Sequence, residues 1–252
     1  MRRFLRIPKM QMFFCLTLIF TTALVHKPSV QILFMYILAL ILTLGLDLLL
    51  LKIRKIEVFL LSAALVTGSI IGLLNSPTLP IYDVVVVVFL AMLSKHFIKR
   101  GRQHIFNPAA FGLFFAGIIF RHNVSWWGVS FQELRIQNLE LIIFFLILLL
   151  PGYISAIKMR RFKIVIPFLI VYSLLNYFLN HFFPLFDPTV LFFALVMLPE
   201  PMTTPNNPKS QIIFGIFVAI ISISVSLPIS NFIPDPLIFA LLASNLIFLK
   251  WR

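Results

Sequence analysis

The sequence predicts an all-α polytopic membrane protein of about ten transmembrane helices, in two inverted five-helix repeats with discontinuous helices. Three observations predict this. Hydrophobic residues fill 61% of 252 positions and charged residues 12%, against about 25% charged in soluble domains. The Lys and Arg residues gather in clusters between apolar runs. Two of those runs break into short proline-bearing motifs and then resume: Phe106-Asn107-Pro108-Ala109-Ala110-Phe111-Gly112, and Met197-Leu198-Pro199-Glu200-Pro201-Met202-Thr203-Thr204-Pro205. Lipid leaves no backbone group unsatisfied, so such breaks persist only where protein or a polar cavity receives the freed N–H and C=O groups.

A hydrocarbon core takes about 20 helical residues to cross. Ten runs can be counted, approximately 10–25, 30–51, 57–74, 80–98, 107–120, 139–157, 163–183, 188–199, 211–227 and 231–249. The first follows Arg2, Arg3, Arg6 and Lys9 and is read as a retained anchor, although a basic start before an apolar run also marks secretory signals. The second ends at Lys52, Arg54 and Lys55, and the fourth opens near Asp83 and closes on Lys95, Lys99, Arg100 and Arg102. Asn107-Pro108 opens the fifth, Lys158 to Lys163 separate the sixth from the seventh, and the eighth runs from Asp187 to Glu200. Runs 107–120 and 188–199 are short, as discontinuous helices would be.

With the N-terminus inside, eighteen of the 21 Lys and Arg residues fall on the inner side, and only Lys27, Arg121 and Arg135 fall outside. Cytoplasmic loops hold the basic residues, so both termini are expected in the cytoplasm of a multi-pass plasma-membrane protein. The net charge of +13 follows from that topology and from attraction to anionic headgroups; the bilayer, not nucleic acid, is the expected partner. A single cysteine, Cys15, excludes an intrachain disulfide.

Landmarks recur along the chain. Leu73-Leu74-Asn75, Asp83, Asn107-Pro108 and Phe111-Gly112 are answered by Leu174-Leu175-Asn176, Asp187, Asn207-Pro208 and Phe214-Gly215. One membrane domain over 1–252 is expected, with repeats at about 10–120 and 139–249. Five spans per repeat force opposite insertion, and a site belongs at the interface of the halves.

The motifs supply the candidate site. Asn107 can cap a helix and Pro108 suits its first position; Ala109, Ala110 and Gly112 keep the first turn slim. The free N–H groups there, with Lys95 and His104 just upstream, make an anion site. In the second motif Glu200 is the sole acid, Thr203 and Thr204 add hydroxyls, and prolines deny helix to the stretch. Thr204-Pro205 and Asn207-Pro208 offer two further helix starts. Elsewhere, Asp47 is an intramembrane acid and so a functional candidate, with an ion pair to Lys52 as the alternative. Asp83 and Asp187 are expected as helix caps, and Trp126 and Trp127 as an interfacial belt. The five His residues lack metal-ligand spacing.

Ser94-Lys95, His104 to Gly112 and Met197 to Pro205 together resemble the RnfD/NqrB family, membrane components of the Rnf electron-transport complexes and of the sodium-pumping NADH:quinone oxidoreductase. The resemblance implies a membrane component of an ion-translocating, flavin-dependent electron-transport complex, with the other proteins of that complex as partners. It implies a flavin, FMN or riboflavin, near Lys95, His104, Asn107, Pro108, Ala109, Glu200, Thr203 and Thr204. The family's covalent FMN sits on a threonine of an outer loop. Residues 121–140 contain no Thr, so a noncovalent flavin is expected. A stand-alone channel or transporter for a small solute on the same fold is the alternative, and a scaffold component without ligand a third reading.

Overall fold

Each of the ten apolar runs carries a helix. The computed structural model describes residues 7–56, 61–101, 103–130, 134, 138–180, 184–226 and 232–251. Among them are α1 (Pro8–His26), α2 (Val30–Ile53), α3 (Ser62–Leu74), α4 (Ile81–Phe97), α5 (Pro108–Phe120), α6 (Asn138–Gly152), α7 (Phe162–Asn180), α8 (Pro188–Phe192), α9 (Pro208–Ser226) and α10 (Pro236–Ile247). Helices α1, α2, α7 and α9 are long and apolar enough to cross a membrane, as is α6 with its π-helical extension Tyr153–Lys158. Helix α5, with 13 residues, reaches only about 20 Å at 1.5 Å per residue.

Local chemistry sets the boundaries. Helices α1, α5, α8, α9 and α10 all begin at a proline, whose missing N–H costs nothing there. Asn107, Asp187 and Asp235 cap α5, α8 and α10, accepting from the N–H groups of Ala110, of Thr189 and Val190, and of Ile238. Asn207 Oδ1 likewise accepts from Lys209 N at 2.9 Å at the start of α9. The Asp187 cap is as expected; Thr204-Pro205 begins no helix.

Helix α2 packs on α3 and α4, α4 on α5, α7 on α9, and α9 on α10; α1 also meets α6 and α5 meets α10. Large apolar side chains such as Ile41, Ile119, Leu146 and Ile213 face outward, as lipid-facing residues do. The chain is an integral multi-pass membrane protein.

Polar contacts define two ends. At one, Lys158 Nζ donates to Gln11 Oε1, Arg54 to His96 O at 2.6 Å, and Arg100 to Leu249 O at 2.8 Å. Arg100 belongs to a hairpin of β1 (Lys99–Arg100) and β2 (Gln103–His104), turned at Gly101 with φ of 60°, a conformation glycine adopts without strain. Of the described Lys and Arg residues only Lys27 and Arg121 lie at the other end.

That other end corrects two expectations. Trp126 and Trp127 form no belt: they are 6% and 1% exposed. Their indoles donate to Asp235 Oδ2 at 2.6 Å and to Gly72 O at 3.2 Å, because a buried indole N–H takes a protein acceptor. Segment 123–130 is pinned beneath them by Val124 N to Pro234 O, Ser125 N to Leu74 O and Gly128 N to Leu73 O. Asp83 does not cap α4 either; its Oδ2 lies 2.6 Å from His122 Nε2.

Candidate functional site

The two proline-bearing motifs meet at the basic end. Asn107 caps α5 with Oδ1, 3.1 Å from Ala110 N, as its position before Pro108 predicts. Its Nδ2 donates to Met197 O at 3.4 Å, at the close of the π-helical stretch Phe193–Met197 that continues α8. The hairpin sets His104 on Glu200, Nε2 to Oε1 3.0 Å. One residue of each motif region thus grips the other.

Between them lies a cavity of about 60 Å³. Lys95, His104, Asn107, Pro108 and Glu200 line it, so the structure brings together five of the eight expected residues. Lys9 and Ser155 also line it, with Met12, Ile70 and Val196 among the apolar wall. Ala109 is instead buried in helix packing. The hydroxyls of Thr203 and Thr204 turn back to Glu200 O at 3.3 and 2.7 Å, closing their own loop rather than facing the cavity.

Lys95 corrects the pairing expected for Asp47. Asp47 Oδ1 accepts from Lys95 Nζ at 2.7 Å and stands 2.6 Å from His96 Nε2. Lys52 lies five residues on, about 140° round the helix, whereas facing pairs are three or four apart. Asp47 and His96 are both 2% exposed.

Sequence reasoning missed Ser155 and His96. Ser155 Oγ donates to Pro151 O at 3.0 Å and to Leu195 O at 2.5 Å, joining the π-helical ends of α6 and α8. Such π turns recur at functional sites. Pro151, four residues before a serine inside an apolar run, was the available signal, since it opens the helix ladder there.

Glu200 dominates the electrostatics. A fifth of its side chain is exposed, and its Oε2 is buried with no hydrogen-bond partner among the described residues. Burial by itself raises a carboxyl, but His104, then Lys9 and Lys95, hold Glu200 below the usual carboxylate range. A lowered value means that ionised Glu200 stabilises the fold above the unfolded value of about 4.3. That contribution is lost as pH falls through the lower folded value. Thermal unfolding from pH 7 to pH 3 is therefore expected to show a shallower acid limb in Glu200→Gln than in the parent; identical limbs would remove Glu200 from this role.

The cavity has room for several waters or a small ion, at about 10–15 Å³ per water. Pockets for organic ligands begin near 300 Å³, above the volume of this cavity. Among the described residues no group of three His, Cys, Asp or Glu side chains is placed to hold a metal ion. Residues 5–137 match the family described as NQR2, RnfD, RnfE. No curated protein matches the chain.

Proposed function

Because the chain belongs to the NQR2, RnfD, RnfE family, membrane subunits of ion-translocating complexes, we propose that it is the membrane subunit of an ion-translocating electron-transport complex and that its cavity is a station for the ion. Glu200 carries this reading. Among the described residues it is the only acid lining the cavity; one of its oxygens is held by His104, and the other is buried with no hydrogen-bond donor among those residues. An acid so placed and held ionised can take a small cation, and such an acid is functional by default.

The finer arrangement supports the same reading. The α5 and α10 starts share one design, a side-chain cap before a proline, at opposite ends of the bundle, and α1 with α6 and α5 with α10 touch across the halves. This favours inverted five-helix repeats in which Asp235-Pro236, not Asn207-Pro208, is the counterpart of Asn107-Pro108. Asn207-Pro208 opens α9 at the same end as the first motif. The concentration of Lys and Arg supports that end as the cytoplasmic one, with the plasma membrane as the host bilayer.

In this reading the flavin of the complex lies in partner proteins; flavin absorbance from the purified chain would contradict it. The ion reading is tested in proteoliposomes holding the assembled complex, with ion flux and electron transfer measured together. Glu200→Gln is expected to cut flux by about tenfold or more, a loss of roughly 1.4 kcal/mol, with electron transfer and assembly retained. Unchanged flux would overturn the proposal, and solute flux through the chain alone would favour a stand-alone channel.

A further inference from the structure

A second hollow, of about 330 Å³, opens at the basic end between the α6–α7 turn and the start of α9. Arg160, Arg161, Phe162, Lys163, Asn206 and Gln211 line it. Arg161 is only 7% exposed. Its guanidinium donates to Pro205 O and, at 3.0 Å, to Asn206 Oδ1. Both acceptors are neutral, and among the described residues no carboxylate pairs with it. Buried charges are ordinarily paired, so this one leaves a positive site open to a counter-charge.

Two more cations flank it. Arg160 is exposed and held at φ of 56°, a left-handed conformation uncommon outside glycine. Lys163 Nζ stands 5.9 Å over the Phe162 ring. On the helical turns flanking the hollow along the chain, apolar side chains are bare: Tyr153 and Ile157 in the π-helical extension of α6, Phe162 and Ile166 on α7.

We infer that this hollow binds a phosphate ester group presented by an anionic membrane lipid, with Arg160, Arg161 and Lys163 around the phosphate and the acyl chains against Tyr153, Ile157 and Ile166. Basic pockets between helices at a cytoplasmic face take such headgroups. The inference is independent of the ion station, from which it differs in every charged residue.

The test uses the full chain in detergent, followed by thermal unfolding with phosphatidylcholine alone, with added phosphatidylglycerol, or with inorganic phosphate. Phosphatidylglycerol is expected to raise Tm. Arg160→Gln with Lys163→Gln, leaving Arg161 to hold its loop, is expected to weaken that effect by about thirtyfold in lipid concentration, the scale of two surface cations. Lys52→Gln with Lys250→Gln, at the same end but outside the hollow, is expected to retain it. Native mass spectrometry of the parent, expected to show a retained phosphatidylglycerol, gives a reading that needs no variant. No Tm shift, or equal weakening in the control variant, would overturn the site. An equal shift from inorganic phosphate, lost in the same variant, would keep the phosphate chemistry and overturn the lipid as its source.

Discussion

Asp47→Ala is expected to be among the most destabilising single substitutions in the chain. Its Oδ1 is the shared acceptor for Lys95 and His96, and removing one partner of a buried ionic cluster costs about 3–5 kcal/mol because the remaining charge stays buried. Lys95 is 15% exposed at its side chain against 3% for Asp47, so part of the lysine reaches the cavity and the lower end of that range applies. Thermal unfolding in detergent reads the loss as a lower Tm. Adding Lys95→Met removes the stranded ammonium and is expected to restore part of the stability. A double variant no more stable than Asp47→Ala would show that the loss comes from packing and not from charge.

Gly112→Val is the second large effect. A Cβ at Gly112 falls 2.3 Å from Val87 O and 3.0 Å from Ala91 Cβ, so α4 and α5 must part, and the contact is to backbone, which has no rotamer to change. Small residues are what let membrane helices approach so closely. Overpacking of this kind costs about 1–3 kcal/mol, with Val at the upper end. Gly215→Ala repeats the test at the α7–α9 contact, where the added carbon meets Ile164 O at 2.3 Å. Gly45 supplies the control: nothing lies within 4 Å of its Cβ position, and Gly45→Ala is expected to be neutral or to stabilise by about 0.5–1 kcal/mol. Equal Tm values for Gly112→Val and Gly45→Ala would refute the close-packing account.

Much of this fold was legible because its signals are local. Prolines at the starts of α1, α5, α8, α9 and α10 and an oxygen-bearing side chain before four of them mark helix starts within a few residues. The meeting of His104 with Glu200 and of Asn107 with Met197 was legible as a pair of breaks, although not as bonds. What escaped depends on contacts between distant parts of the chain. Nothing near Asp47 names Lys95 and His96 on another helix, and nothing near Trp126 names Asp235, 109 positions away. The inward turn of Thr203 and Thr204 was not legible, because a hydroxyl in a tight loop satisfies a nearby carbonyl first.

Beyond the cavity the interior turns aromatic. Tyr36 and Phe20 stack at 3.6 Å between centroids, Trp127 sets its edge to Phe20 at 6.3 Å, and the Tyr36 hydroxyl donates to Ser69 at 3.1 Å. On the proposed reading, a pocket that admits water would conduct and a buried aromatic layer would insulate, so most of the transmembrane voltage would fall beyond the pocket. Each unit charge carried across the membrane meets about 2.3 kcal/mol per 100 mV. On that reading an ion at Glu200 would still have most of the electrical work of crossing ahead of it.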